Sequence, residues 1–346
     1  MTTSMTSISS YALTASPRLT VMQAQAALSK AQVELSSGKL ADIGLGLGSS
    51  TGTYVSLGAQ ASRLQSIKDS NATTATTLTA ATTGLDALRT TASAFLASLT
   101  QAASAGSTQG ALVTTASANL DALTSTLNTT VGGNAIFAGI DSADPPMTAY
   151  TAGSPAQTAV SGSYAATFNG QDPSTITQAQ MQSYLGGSFA NLFTAAQYEQ
   201  TWSTASDTVA TAQISTTETV ATSVSANADP FRQLAQAYTM VKEYGGSDMG
   251  SGAAKAVIAS ATQLVSTALA GLTSLEAGVG QSQSAVSDAN DRMTTQIGYL
   301  STQSSDLVGV DPSALATRIS GLQTQIQASY EITSQLQQLS LVNYLK

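Results

Sequence analysis

At 346 residues with 42% hydrophobic side chains, the chain is long enough for two or three domains and can bury a sizeable core. Only 9% of its residues are charged, against about 25% in an ordinary globular domain, so its Ser-, Thr-, Ala- and Gln-rich surface has little charge to keep copies apart. A net charge of −8 and 12 Lys and Arg argue against phosphate neutralisation on nucleic acid and against binding to anionic membrane surfaces, and the lack of Cys and His removes the usual zinc sites and Ser–His or Cys–His nucleophile pairs.

Residues 1–16 are rich in Ser and Thr and lack both a basic start and an apolar run, so no Sec-type signal is expected. No stretch is expected to approach the roughly 18 apolar residues of a membrane span. The first periodic run is Val21, Ala24, Leu28, Ala31 and Leu35, ending at Gly38. Its alternating steps of three and four predict an amphipathic helix. A Gly-rich break is expected over residues 42–58. The spacing then resumes from Leu64 through Asn71, Leu78, Leu85, Phe95 and Leu99 to Ala102, and a third run leads from Val113 to Leu127 before Gly132-Gly133.

From residue 132 to about 228 the heptads vanish, while Pro, Gly and aromatic residues concentrate. Residues 162–169 and 208–215 suggest strands between turns, so an α+β or β-rich insert is expected there. Asp229-Pro230 then offers an N-cap and a first helical position. The longest seam follows, from Ile258 through Val265, Leu272, Leu275, Val279, Val286 and Met293 to Gln296, Leu300 and Leu307. Its sustained alternation is a coiled-coil pattern. Asp311-Pro312 opens a last helix lined by Leu315, Ile319, Leu322, Ile326, Thr333 and Leu336, running to Leu341 or beyond.

The expected fold is mainly α with a β-containing insert. Both chain ends make a long antiparallel helical rod or coiled coil, and a smaller central α+β or β-rich domain stands between them. Residues 1–40 and 312–346 form the terminal coiled-coil assembly segment. Residues 41–131 and 229–311 form the helical rod domain, and 132–228 the outer insert. The outer seams are thin in large apolar residues, so an isolated pair is marginal and gains order among neighbouring copies. The residues assigned to the assembly seam are Val21, Leu28, Leu35, Leu315, Ile319, Leu322, Ile326, Leu336, Leu339, Leu341, Tyr344 and Leu345.

Catalytic constellations do not emerge. Gly44-Leu-Gly-Leu-Gly48 lacks the Lys-Ser/Thr of a phosphate loop and follows no clear strand. Asp141, Asp144, Asp172, Glu199 and Asp207 sit among turn formers, which suits capping better than acid–base work. Sequons at Asn71 and Asn128 fall on helical seams. No enzyme activity, cofactor or metal site is expected.

Two ends and one internal segment carry a resemblance. Ala328-Ser-Tyr-Glu-Ile-Thr-Ser-Gln-Leu-Gln-Gln-Leu-Ser-Leu-Val-Asn-Tyr-Leu345 resembles the closing helix of bacterial flagellins and their hook-associated relatives. Leu28-Ser-Lys-Ala-Gln-Val-Glu-Leu-Ser-Ser-Gly-Lys39 is similar to the family's N-terminal helix and its Leu-Ser-Ser/Thr-Gly turn. Gly133-Asn134-Ala-Ile136-Phe137-Ala-Gly139, followed by Pro145-Pro146, resembles a stretch of hook-associated protein 3, the hook–filament junction proteins of this family. Ala41-Asp-Ile-Gly-Leu-Gly-Leu-Gly48 departs from the Asp-Asp-Pro-like joint of many members. The resemblance implies a secreted structural subunit of the flagellum, exported by the flagellar type III route with an export chaperone. Its implied partners are further copies of itself, the preceding hook-associated protein and flagellin. A divergent flagellin forming the filament itself is the alternative.

Overall fold

The computed structural model describes the backbone of residues 10–105 and 109–344 and the side chains of 18–104 and 110–335. It is 75% helical. In chain order the helices are α1 (Ser10–Ser37), α2 (Ile43–Leu47), α3 (Thr51–Ala105), α4 (Gln109–Leu127), α5 (Pro155–Phe168), α6 (Gln178–Gly186), α7 (Ser188–Asn191), α8 (Ala195–Thr201), α9 (Asp229–Tyr244), α10 (Ser251–Val308) and α11 (Pro312–Tyr344). Two antiparallel ladders complete it, β1 (Thr130–Val131) with β2 (Asn134–Ala135), and β3 (Thr211–Gln213) with β4 (Thr219–Ala221). Long helices from both ends with a small strand-containing insert confirm the expected fold class. The chain divides into two compact units, one drawn from residues up to 64 and from 294 onward, the other from 65–293.

In the first unit α1 and α11 are antiparallel neighbours. Gln25 donates to the Tyr330 hydroxyl at 2.8 Å, and Lys39 bridges antiparallel to Gly309. Gly38 ends α1 with φ +70, a conformation glycine adopts without penalty. The N–H of Leu40 donates to the Val308 carbonyl, and that of Val310 to the Gly38 carbonyl, so the break after α1 and the break before α11 are held side by side. Asp311 opens α11 as the sequence indicates, accepting from Ser313 N–H at 2.8 Å. The Gly-rich break is shorter than predicted. Asp42 caps α2 through Leu45 N–H, and α3 begins at Thr51, with Gly52 and Gly58 inside it. An isolated glycine costs about 1 kcal/mol of helix propensity against Ala, which weakens a long helix without ending it.

In the second unit α3 and α10 pair antiparallel. Asn71 bonds to Asn290 and Arg89 to Glu276. Their buried stripes are Leu78, Leu85, Leu88, Phe95 and Leu99 on one helix and Val257, Ala261, Val265, Leu272 and Val286 on the other. Past Met293, in the part of α10 that belongs to the first unit, the expected spacing fails at one position, where Gln296 is exposed and Ile297 half-buried; Leu300 and Leu307 are half-buried as expected. Helix α9 is buried on nearly all sides, as expected of a central helix. It packs its Tyr238 edge-on against Phe95 at 5.1 Å. Pro230 at its start fills the space beside Gly271 of α10, where an added Cβ would come within 2.5 Å. Asp229 is the first residue of α9 and not its cap, which is Ala228. Its carboxylate turns instead to Arg232. Helix α10 contains an 18-residue window apolar enough to cross a membrane by length and composition; its Ala253, Ala256, Val257, Ala261 and Val265 are committed to the core of this unit.

The insert carries more helix than strand between its turns, so the β-rich alternative does not hold. Residues 162–169, predicted as a strand, are the second half of α5 and its cap. Ser154 accepts from Gln157 N–H, Pro155 takes the first turn, and Asn169 ends the helix at φ +41. These start and stop signals outweigh the β-forming residues between them. The predicted strand at 208–215 is realised as β3. An aromatic core holds the insert together: Tyr150 and Trp202 stack at 5.1 Å, and Tyr164, Tyr184, Phe189 and Tyr244 meet edge-on, tilted or stacked.

Candidate assembly surface

The terminal pair buries little of its apolar surface. On α1 the stripe facing α11 is Val21, Ala24, Ala31 and Glu34, with Leu28 half-buried. Leu35 is not on it. That leucine is 41% exposed, and Glu34 occupies the buried position. The chain leaves the helix at Gly38, and the Glu34 carboxylate turns in to accept Ala41 N–H at 3.3 Å. On α11 Leu315 is buried, and Ile319, Leu322 and Ile326 are half-buried. Leu336, Leu339, Leu341 and Tyr344 lie on the described backbone of α11, but their side chains fall outside the described residues, as does Leu345 entirely.

What the periodicity did not indicate is how much large apolar surface stays outside these seams. Leu19, Met22 and Val33 on α1, Leu45 on α2, Val55 on α3, Tyr299 on α10, and Tyr330 and Ile332 on α11 are all exposed. Among the described residues, every exposed large hydrophobic side chain except Ile140 and Val209 lies in the first unit. Scattered exposed apolar residues are ordinary on a monomer, whereas their concentration marks a surface that another chain covers. The signal available in the sequence was the set of apolar residues out of heptad register, such as Met22, Val33 and Ile332.

The internal motif has a different job in the fold. Gly132 and Gly133, at φ +60 and +87, make the two-residue turn between β1 and β2, the backbone that such hairpins require. Gly133 and Asn134 are exposed, while Ile136, Phe137 and Gly139 are buried. The Phe137 ring meets Phe231 edge-on at 5.9 Å and closes over Gly84 of α3. Its carbonyl accepts Ala226 N–H, and the neighbouring Ala138 carbonyl accepts Ser206 N–H. Gly139 has φ +66, and a Cβ there would come within 2.4 and 2.5 Å of the Ser206 and Thr208 carbonyl oxygens. Pro145 is exposed and Pro146 buried; their carbonyls accept the Thr204 hydroxyl and N–H. The motif is thus a clasp at which the outgoing and returning segments of the insert are tied, with Phe137 anchoring it to α3 and α9.

Two of the acidic residues named above have defined structural partners. Asp172 accepts Ser174 N–H at 2.9 Å and its hydroxyl at 2.8 Å, and these bonds hold its carboxyl below the ordinary carboxylate value. Asp207 accepts from the Asn227 amide. Among the described residues no three His, Cys, Asp or Glu side chains cluster as metal ligands would. A cavity of about 580 Å³ bordered by Ala102, Leu112, Ala254, Val257 and Ile258 has Lys255 as the one titratable side chain among its described lining residues, which gives no acid–base pair there.

Comparison with protein-family models matches residues 8–142 to the bacterial flagellin N-terminal helical region and residues 262–345 to the bacterial flagellin C-terminal helical region. The two matches together take in most of the chain, including α1, α4 and α11, and they leave out most of the insert. Comparison with curated proteins gave no match. Both helical ends, paired antiparallel and matched over their length, therefore place this chain in the flagellin family, the self-assembling structural subunits of the bacterial flagellum.

Proposed function

We propose that this chain is the subunit of the hook–filament junction, joining the preceding hook-associated protein to the flagellin filament. The observation that carries this reading is the clasp at 133–146. Its glycines, Phe137 and the Pro145-Pro146 pair are the residues that resemble the junction proteins, and each has a defined place in closing the insert. Residues 1–40 and 312–346 are the assembly segment, supported by the exposed Leu19, Met22, Val33, Leu35 and Ile332 of α1 and α11. Residues 41–131 and 229–311 form the helical rod domain, and the 132–228 insert faces outward. Contacts made head-to-tail between copies do not close on themselves and so propagate along a helical tube. In this reading the subunit leaves the cell through the flagellar type III route, escorted by an export chaperone, and acts outside it without catalysis.

Deleting the gene is the direct test. Hooks should remain while unpolymerised flagellin accumulates in the medium, and immunogold labelling of intact flagella should mark the base of the filament. Normal filaments in the deletion strain would refute the junction role. A filament-forming flagellin is the second reading, favoured by the matches to flagellin helical regions at both ends. Under it the chain would be the dominant protein of sheared filaments instead of a trace component.

A further inference from the structure

Asn71 stands on the buried stripe of α3, between Ile67 and Leu78, and is wholly buried. Its amide nitrogen donates to the Asn290 side-chain oxygen of α10 at 2.8 Å and to the Ile214 carbonyl at 2.9 Å. Ile214 follows β3 directly and is itself wholly buried. Its own N–H donates to the Glu218 carbonyl, and the Glu218 carboxylate pairs with Arg292 of α10 at 2.6 Å. One side chain therefore ties together two helices and the β3–β4 hairpin.

The rest of this seam is undemanding. Thr74 and Leu78 face a helix offering Val286, Ala289 and Met293, and the chain has few charges to set an offset between helices. Small apolar residues pack acceptably in several registers, whereas a buried amide moved one heptad along would lose its acceptors. We propose that Asn71, with Asn290 and the Ile214 carbonyl, is the register-determining site of the subunit. It admits one pairing of α3 with α10 and one seat for the hairpin, so that each copy enters an assembly with the same helix offset.

The cysteine-free chain permits a clean test. Thr76→Cys and Ser284→Cys place spin labels on exposed positions of α3 and α10, and pulsed electron paramagnetic resonance reads the distance between them. The otherwise native chain should give one narrow distance. Adding Asn71→Leu and Asn290→Leu should keep the helical circular dichroism while the distances broaden or split. A Glu-specific protease should then cut after Glu218 roughly tenfold faster or more, the scale set by losing one or two buried hydrogen bonds. An unchanged single distance with unchanged cleavage would overturn the proposal. Loss of helical structure would overturn it too, because a leucine pair sustains such a seam and the site would then supply stability instead of register.

Discussion

Gly139 and Gly153 share a left-handed backbone, at φ +66 and +81, but not a neighbourhood. Around Gly153 an added methyl would meet nothing within 4 Å, whereas at Gly139 it would strike the carbonyl oxygens of Ser206 and Thr208. Gly153→Ala should therefore cost about 1 kcal/mol, the strain of a left-handed non-glycine residue. Gly139→Ala should cost more than about 2 kcal/mol, because the clasp must open to admit it. Urea denaturation midpoints of the two variants would check this, and equal losses would contradict the close approach. Residue-scale detail also disposes of the two sequons. Asn71 is buried, and Asn128 exchanges two hydrogen bonds with the Met147 backbone, so both amides are engaged in the fold.

Among the elements, the aromatic core between the insert and α9 gives the second unit a marked alkaline sensitivity. Burial pushes the hydroxyls of Tyr150, Tyr184, Tyr198 and Tyr244 above the ordinary tyrosine value of 10.0, and Glu243 beside Tyr150 adds to the effect there. Tyr184 and Tyr244 also share a hydrogen bond at 2.8 Å. The folded state holds these protons more tightly than the unfolded chain does. Stability from this source is thus complete below the unfolded value and falls as pH rises beyond it, by about 1.4 kcal/mol per pH unit for each tyrosine still protonated in the fold. In an alkaline titration, the tyrosinate absorbance contributed by these buried tyrosines and the loss of helical circular dichroism should rise together in one cooperative step above pH about 10. Independent, non-cooperative ionisation would show that these rings are accessible. The sequence revealed the long elements because a stripe repeated over many turns averages out local exceptions. It misread residues 162–169 because a short segment offers too few repeats to separate helix from strand.

At the scale of the whole molecule, the two units divide the apolar surface unequally. The second buries its large residues in a core of its own, while the first leaves Leu19, Met22, Val33, Leu35 and Ile332 in solvent. Leu35→Ser and Ile332→Ser should change the stability of the isolated subunit by no more than about 0.5 kcal/mol, as is usual for exposed positions. Polymerisation should nevertheless be lost or strongly slowed, as read by light scattering and by electron microscopy of the product. Wild-type polymerisation by the double variant would remove this surface from the assembly contacts.

By itself the sequence determined the long helices at both ends, their breaks at Gly38 and before Pro312, and the change of character near residue 132. All of these follow from local spacing, turn residues and composition, which act over a few positions. Only the tertiary structure decided that Glu34 and not Leu35 faces inward, that Phe137 and Gly139 close the root of the insert, and that Asn71 is shared by three elements. The first depends on Ala41's return past the helix end, and the others on partners far along the chain, such as Phe231, Ser206, Ile214 and Asn290. A periodic pattern shows that a face is buried, and packing between distant segments decides which side chain at its edge is covered.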